Sequence, residues 1–309
     1  MNLTQLEILQ LLQETGYHLT KVSARMNIVQ SAVSRQLLLL EDELGAPLFL
    51  RHGKRLTGPT PLGEQILAQV STISQAKRNI KALASDMHNN QKGILHIATT
   101  HTQAKYLLPD PISRFRDKYP GVKIYIVQSS PENLIDLLHH HQADIALCTE
   151  KVSEDPKLVI RPCYQWHHVI IVPKGHALTS GELNLERLAS FPILTYSRGF
   201  TGRSNIEKAF DAAGLSLDIT LAAADSDIIK TYVRLGFGVG IIAATSYETG
   251  VDDDLAVRSL ADLIPPSTTK FAYLKDSYLP SYTRYFIDQL IAATHHKAFA
   301  DKIDAVQGT

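Results

Sequence analysis

The chain has 309 residues, with 31 Lys and Arg against 31 Asp and Glu, 44% hydrophobic and 20% charged, which exceeds one ordinary core and excludes a disordered chain, a collagen or a polyelectrolyte. A net charge of zero supplies no long-range field, so any nucleic-acid partner has to be held by local positive charge. Cys148 and Cys163, the two cysteines, offer no disulfide framework. No stretch approaches the roughly 18 consecutive apolar residues of a membrane span. The N-terminus, carrying Glu7 and Glu14, does not read as a signal peptide, so the cytoplasm is the expected location.

Leu3, Leu6, Ile8, Leu9 and Leu12 recur at helical spacing, and Gly16 closes this first helix. A second short helix begins near Thr20, as its N-cap, runs through Val22, Ala24 and Met26 and breaks near Asn27 and Ile28. A third runs from Gln30 to about Glu43 and ends at Gly45, which makes the pair a helix-turn-helix candidate. Residues Arg51 to Pro59 hold three cations and two glycines between short extended pieces, suiting a small hairpin or wing. From Pro61 to His88 a long helix follows, with Ile66, Val70, Ile73, Ile80, Ala84 and Met87 on a seam that only Lys77 interrupts, the pattern of a dimerising coiled coil. Residues 51 to 86 carry Arg51, Lys54, Arg55, Lys77, Arg78 and Lys81 against Glu64 and Asp86, a local charge of +4. Asn89, Asn90, Gln91, Lys92 and Gly93 then form a polar hinge.

After the hinge, strands and helices alternate. Strands are expected at 94–99, 122–127, 143–148, 158–163, 167–172, 192–196, 218–223, 239–243 and 268–274. Helices are expected at 104–118, 131–141, 202–213, 226–235 and 281–293. The chain is expected to cross into a second lobe near 163 and to return near 266, leaving a cleft between two lobes.

The most specific local signal is Ala24 to Leu50. A recognition helix needs polar residues at its N-terminal end to reach base edges and apolar residues behind them. Gln30, Ser31, Ser34 and Arg35 supply the first, and Val33, Leu37 and Leu40 the second. An ordinary amphipathic hairpin has the same periodicity, but the basic wing and dimer helix favour DNA. Residues 29 to 63, VQSAVSRQLLLLEDELGAPLFLRHGKRLTGPTPLG, resemble the helix-turn-helix, wing and linker-helix start of LysR-type transcriptional regulators. Gln30, Ser34, Glu41, Leu44, Gly45, Leu48, Phe49, Arg51, Thr60 and Gly63 fall in the family's register. Ser31 stands where the family often has proline, and Val22 and Ser23 where it usually has two alanines.

A narrower resemblance, to the CysB/Cbl-like regulators of sulfur assimilation, is carried by ATTHTQAKYLLP (98–109), QADIALCTE (142–150), CYQWHH (163–168), TYSRGFTGRS (195–204), DSDIIKTYVRLGFGVGIIA (225–243) and STTK (267–270). The resemblance implies an α/β fold with an all-α head. A winged helix-turn-helix occupies 1–60 and a linker helix 61–90. A two-lobed, periplasmic-binding-protein-like effector domain occupies 91–309, with lobe I at about 91–163 and 266–292 and lobe II at about 164–265. It also implies promoter DNA as partner, contacted by Thr20, Gln30, Ser31, Ser34, Arg35, Arg51, Lys54 and Arg55. RNA polymerase is a further partner, the linker helix makes a dimer, and the assembly is a tetramer. The implied effectors are sulfate, thiosulfate, adenosine phosphosulfate, O-acetylserine or N-acetylserine, held by Thr100, Thr102, Gln103, Thr149 and Thr201, with Trp166 as a nearby aromatic.

The residues support a cleft of this kind independently. Thr99 to Gln103 and Phe200 to Ser204 lie between a strand end and a helix start, Ser129 and Ser130 precede a third helix, and Thr149 follows a strand. Hydroxyls and free backbone N–H groups at such places bind anions without a full countercharge, although plain helix capping accounts for any one of them. Other features are bland. The glycines of GFGVG, 236–240, follow a helix and precede a strand, the reverse of a dinucleotide loop. His139, His140 and His141 sit at a helix end and read as dipole partners rather than a metal tract. Cys148 and Cys163 read as small buried hydrophobes, Trp166 suits core or pocket, and Arg203 suits an anion or a surface acid. No metal, cofactor or catalytic nucleophile is expected. The rival readings are a two-lobed anion receptor without a DNA role, against which the helical head speaks, and an α/β enzyme, for which no paired nucleophile appears.

Overall fold

The computed structural model describes residues 1–53, 55–87, 92–149 and 155–294. Lys54 and the hinge residues Asn89, Asn90 and Gln91 lie outside the described residues, as does the chain beyond 294. Two compact units divide at Ala84 and Ser85.

In the first unit, α1 (Leu3–Glu14) opens with a reciprocal cap, in which the Asn2 side chain accepts from the Gln5 N–H and the Gln5 side chain from that of Asn2. The cap of α2 (Leu19–Met26) is His18 rather than Thr20, which lies in the first turn, and Asn27 in the left-handed region closes it. α3 (Gln30–Leu44) ends at Gly45, also left-handed. β1 (Phe49–His52) and β2 (Arg55–Pro59) pair antiparallel as the wing, and α4 (Pro61–Met87) follows. Leu9, Leu12, Val22, Val33, Leu37, Leu40, Leu48 and Leu56 form one core with Leu67 and Val70 of α4. Each contributes roughly 1.5–3 kcal/mol by leaving water. A Cβ at Gly63 would collide with the carbonyl of Leu48, so only glycine lets α4 start against the wing.

The seam of α4 differs from expectation. Val70 belongs to the core of its own head, Ser74 bonds Gln10, and Lys77 lies 3.6 Å from Glu7. That face packs on α1, so Lys77 interrupts nothing. The exposed apolar residues Leu62, Ile73, Ile80 and Leu83 fall instead on the neighbouring stripe 62, 66, 69, 73, 76, 80, 83, which keeps alternating four- and three-residue steps.

The second unit contains two five-stranded sheets. In the first, ordered β4-β3-β5-β12-β6, β3 (Gly93–Thr99), β4 (Val122–Gln128) and β5 (Ile145–Cys148) run parallel, with β12 (Ser267–Leu274) antiparallel to β5 and to β6 (Leu158–Trp166). Helices α5 (His101–Tyr106), α6 (Pro109–Lys118), α7 (Pro131–His139) and α11 (Ser281–Thr294) accompany it. In the second, ordered β11-β7-β10-β8-β9, the strands are β7 (His168–Pro173), β8 (Ile193–Tyr196), β9 (Ile219–Ala223), β10 (Val239–Ala243) and β11 (Leu255–Ser259). Its helices are α8 (Leu185–Ala189), α9 (Arg203–Ala212) and α10 (Ser226–Arg234).

Three expectations shift here. The helix expected at 104–118 is two helices, because Pro109 has no N–H to continue the first. The first crossing falls at His167, not near 163, because β6 stays paired with β12 as far as Trp166 opposite Ser267, so Trp166 belongs to the sheet of lobe I. β11 was not foreseen, since the run Asp252, Asp253, Asp254 before it reads as a loop. Gly236 ends α10 and Gly238, where a Cβ would strike Pro192, begins the turn into β10, as their order implies.

Candidate functional site

The head presents its candidate DNA contacts on α2, α3 and the wing. Thr20, Gln30, Ser31, Arg35, Arg51 and Arg55 are exposed and Ser34 is half-buried, whereas Val33, Leu37 and Leu40 are buried behind them. No acidic residue lies in the first turn of α3, and its N-cap Val29 offers no side-chain acceptor, so the first N–H groups of the helix remain available to an anion. The Thr20 hydroxyl donates to Gln30 Oε1 at 3.3 Å, tying the two helix starts together. Arg51 is already engaged: its guanidinium donates at 2.6 Å to Glu41, a buried carboxylate that also accepts from the Leu48 and Phe49 N–H groups. It therefore fixes the wing on α3 while adding its charge to that face. Lys54 lies outside the described residues.

In the second unit the expected effector residues gather where the lobes meet. Thr100 is the N-cap of α5 and, with Thr102 and Gln103 of its first turn, is buried. Beside them runs a chain of side chains. Tyr164 OH donates to Gln103 Oε1 at 2.8 Å; Gln103 Nε2 and Trp166 Nε1 donate to Thr269 Oγ1 at 3.3 and 3.1 Å; Thr149 Oγ1 lies 3.2 Å from Thr269 Oγ1. Trp166 thus contributes its N–H as well as its ring, which meets His168 edge-on at 4.9 Å.

Lobe II supplies Thr201, buried and at φ 40°, a left-handed conformation that a β-branched residue adopts only where its surroundings enforce it. The next residue, Gly202, is the N-cap of α9 at φ 69°, and a Cβ there would stand 2.5 Å from Ser267 Oγ and 2.8 Å from the His168 ring, so this turn packs directly on lobe I and His168. Burial pulls the His168 pKa down to about 4, with the Thr201 backbone opposing the shift, so the imidazole is neutral at pH 7. Arg203 turns away: it donates to the Tyr196 carbonyl and to Glu207 one helical turn on. The surrounding groups are therefore hydroxyls, amides and an indole. The hydroxyls of Thr102, Ser226 and Thr245 are buried too, beside the phenols of Tyr196, Tyr106 and Tyr164.

A second polar cluster joins α5 to α10. Asp227 accepts from Lys105 Nζ at 2.7 and 2.8 Å and from Tyr106 OH at 3.0 Å, and lies 3.1 Å from His101 Nε2. Burial alone would raise its pKa, but hydrogen bonds from Lys105, His101 and Tyr106 hold it down to about 2. His101, Asp225 and Asp227 are close enough to share a metal ion, yet the Lys105 ammonium already covers both oxygens of Asp227. His139 pairs with Asp155 at 2.6 Å, and His140 bonds the Asp136 carbonyl. Cys148 and Cys163 are buried and form no disulfide among the described residues, with burial pushing the Cys163 thiol up to about 12.

Sequence reasoning missed Thr269, Tyr164, His168 and the Asp227 cluster. Thr269 sits mid-strand, where alternation makes it one more core position, and its partners are 103, 120 and 166 residues away in the chain.

Two family models match: "Bacterial regulatory helix-turn-helix protein, lysR family" over residues 3–64 and "LysR substrate binding domain" over residues 88–294. The chain is 39% identical over 289 residues to the transcriptional regulator SsuR of Burkholderia cenocepacia, covering 93% of this chain and 94% of that one. It is 40% identical over 289 residues to the regulator Cbl of Escherichia coli K12, covering 93% and 92%, and 38% identical over 303 residues to CysB of B. cenocepacia, covering 98% and 96%. Among solved structures, the cofactor-binding domain of the Cbl regulator superimposes with a TM-score of 0.63 at 38% identity, covering 71% of this chain and 95% of that one.

Proposed function

We propose, because the chain belongs to the LysR family of bacterial transcriptional regulators, that its cleft receives a small oxyanion of sulfur metabolism and that occupancy decides how its heads engage promoters of sulfur and cysteine genes. The observation that carries this reading is the lobe junction, where buried Thr100, Thr102, Gln103 and Thr201, with Thr149, Thr269 and Trp166, supply hydroxyl, amide and indole groups and His168 beside Trp166 is neutral. Such a site suits an anion solvated by dipoles rather than by a countercharge. Sulfate, thiosulfate and adenosine phosphosulfate present such an oxyanion, and O-acetylserine or N-acetylserine a carboxylate. The relatives SsuR, Cbl and CysB support the sulfur pathway.

No covalent chemistry is needed. A ligand with different affinity for two arrangements of the lobes shifts their populations by that difference. The exposed stripe of α4 is the dimer seam, two such dimers make the tetramer, and RNA polymerase is the partner that reads the bound state. No described helix is long and apolar enough to cross a membrane, which suits a cytoplasmic protein.

Paired variants test the division of labour. Arg35→Ala is expected to weaken promoter binding by about 1–3 kcal/mol at fixed salt while leaving anion affinity unchanged. Thr201→Ala is expected to lower anion affinity about tenfold or more, the scale of one hydrogen bond to a charged group, while leaving binding to DNA without effector intact. Gel shift and calorimetry read the two separately, and Thr201→Ala with unchanged anion affinity would place the ligand elsewhere.

A further inference from the structure

We propose that Asp227 is a latch between the lobes: it holds α5 of lobe I against α10 of lobe II through the protein's own side chains, and so sets how readily the lobes part. The latch acts on the lobes alone and stands whatever the cleft receives.

The chain passes between the two sheets twice, from β6 to β7 at His167 and from β11 back to β12 at Ser267. Two connections leave room for a hinge, so side-chain contacts across the junction decide the angle. Asp227 lies in the first turn of α10, after the N-cap Asp225. Its carboxylate gathers three side chains of α5. Lys105 Nζ donates at 2.7 and 2.8 Å, Tyr106 OH donates at 3.0 Å, and His101 Nε2 lies 3.1 Å away. Other groups of lobe II grip the same helix. Tyr106 OH accepts from Lys230 Nζ at 3.3 Å and is bonded by Ser226, while Lys105 Nζ lies 3.8 Å from Glu248. Lys230 is itself fixed by the buried Asp252.

The three partners of Asp227 ride on one helix, within six residues of chain, so separation of the lobes releases them together. That gives two discrete arrangements rather than a continuous drift. From the same helix Gln103 bonds Tyr164 and Thr269 of lobe I. α5 is therefore tied to its own sheet, and a parting of the lobes has to open the contact at Asp227. Lys105 and Asp227 are 39% and 38% exposed, so that ion pair is weak by itself. The half-buried phenol of Tyr106, and the convergence of three groups on one carboxylate, give the latch its strength. Asp227 is thus a positioning residue for the lobes.

Spin-label distances across the lobes of the full chain, in buffer without oxyanions, test this. Ser113→Cys on α6 and Lys208→Cys on α9 provide exposed label sites, the native Cys148 and Cys163 being buried, and labelled chain is diluted into unlabelled. Hydrogen exchange of the α5 backbone reads openings too rare to populate. The wild type is expected to show one interlobe distance. Asp227→Asn, which keeps the size and removes the charge, should add a longer distance and lower the protection of α5 about tenfold, the scale of one hydrogen bond to a charged group. Lys105→Met and Tyr106→Phe should act in the same direction by smaller factors, and they serve if the asparagine variant does not fold. Asp225→Asn removes the neighbouring charge but keeps a capping oxygen, and should match the wild type. An Asp227→Asn chain with wild-type distances and protection, or an Asp225→Asn chain altered as much, overturns the latch. So does a wild type that already samples both distances equally. The oxyanion reading is tested separately by Thr201→Ala, so either can fail while the other stands.

Discussion

Glu41→Ala is expected to destabilise the DNA-binding head by about 3–5 kcal/mol and to abolish promoter binding with it. Glu41 is buried at 7% exposure, and its carboxylate accepts from the Leu48 N–H at 2.8 Å, the Phe49 N–H at 3.3 Å and Arg51 at 2.6 Å. Removing it leaves two backbone donors without an acceptor, at about 1–3 kcal/mol each, and frees the wing from α3. A small domain has only about 5–15 kcal/mol in total, so the loss takes much of the margin. Glu41→Gln keeps an acceptor for the backbone and should cost less, about 1–2 kcal/mol, through the weakened bond to Arg51. Chemical denaturation followed alongside gel shift measures both; an alanine variant within about 1 kcal/mol of wild type would show that the wing is held by packing alone.

The second large effect is expected at Asp252, which joins the acidic turn to α10. Asp252 is 1% exposed and Lys230 is 2% exposed. Their ion pair is closed by Arg234 on the other carboxylate oxygen at 2.9 Å and by the Glu248 N–H at 3.0 Å. Asp252→Ala strands the Lys230 ammonium in the interior, at about 3–5 kcal/mol, whereas Asp252→Leu combined with Lys230→Met removes both charges and should cost far less. Unfolding monitored in urea separates the two cases, and an equal loss in single and double variants would mean that the pair is not what Asp252 provides.

The pH dependence has the same sign. Burial pushes the Asp252 pKa up, but Lys230, the Glu248 N–H and Arg234 outweigh it and leave it lowered; Asp227 is held down to about 2 from 3.8. A group whose folded pKa is depressed stabilises fully above its unfolded value and loses that contribution as pH falls through the folded one. The effector domain should therefore weaken as pH falls from about 6.5 towards 4, because unfolding frees the buried His168 to take up a proton, and weaken further from about pH 4 towards pH 2 as the paired carboxylates titrate, with Asp227→Asn flattening part of the lower slope.

The sequence made the head legible because its signals are local. The span of α3 follows from the left-handed Gly45 that ends it and the apolar spacing of Val33, Leu37 and Leu40, all within 16 residues. The strands of the second unit other than β11 are equally readable, since runs such as Ile145 to Cys148 and Val239 to Ala243 are short and apolar between turns. What failed depends on neighbours far away in the chain. On α4, periodicity alone cannot tell that Val70 is used by its own head and Lys77 by Glu7, while Ile66, Ile73 and Ile80 of the expected seam lie on the neighbouring stripe. Thr100, Thr102, Gln103, Thr149 and Thr201 were singled out by resemblance and by their place at element ends, and the fold brings them to the lobe junction. Thr269 and Asp227 act through partners more than 100 residues distant, and no spacing rule reaches that far.

The most direct measurement is a footprint of the purified full chain on DNA upstream of sulfur-uptake genes, with sulfate, thiosulfate, adenosine phosphosulfate, O-acetylserine and N-acetylserine titrated separately at one low salt concentration. The expected result is protection of two or more half-sites spaced by helical turns, with at least one anion changing the pattern and Thr201→Ala blunting that change. Absence of protection, or a footprint identical with every compound, would contradict a regulator whose grip on DNA is set by an oxyanion in its cleft.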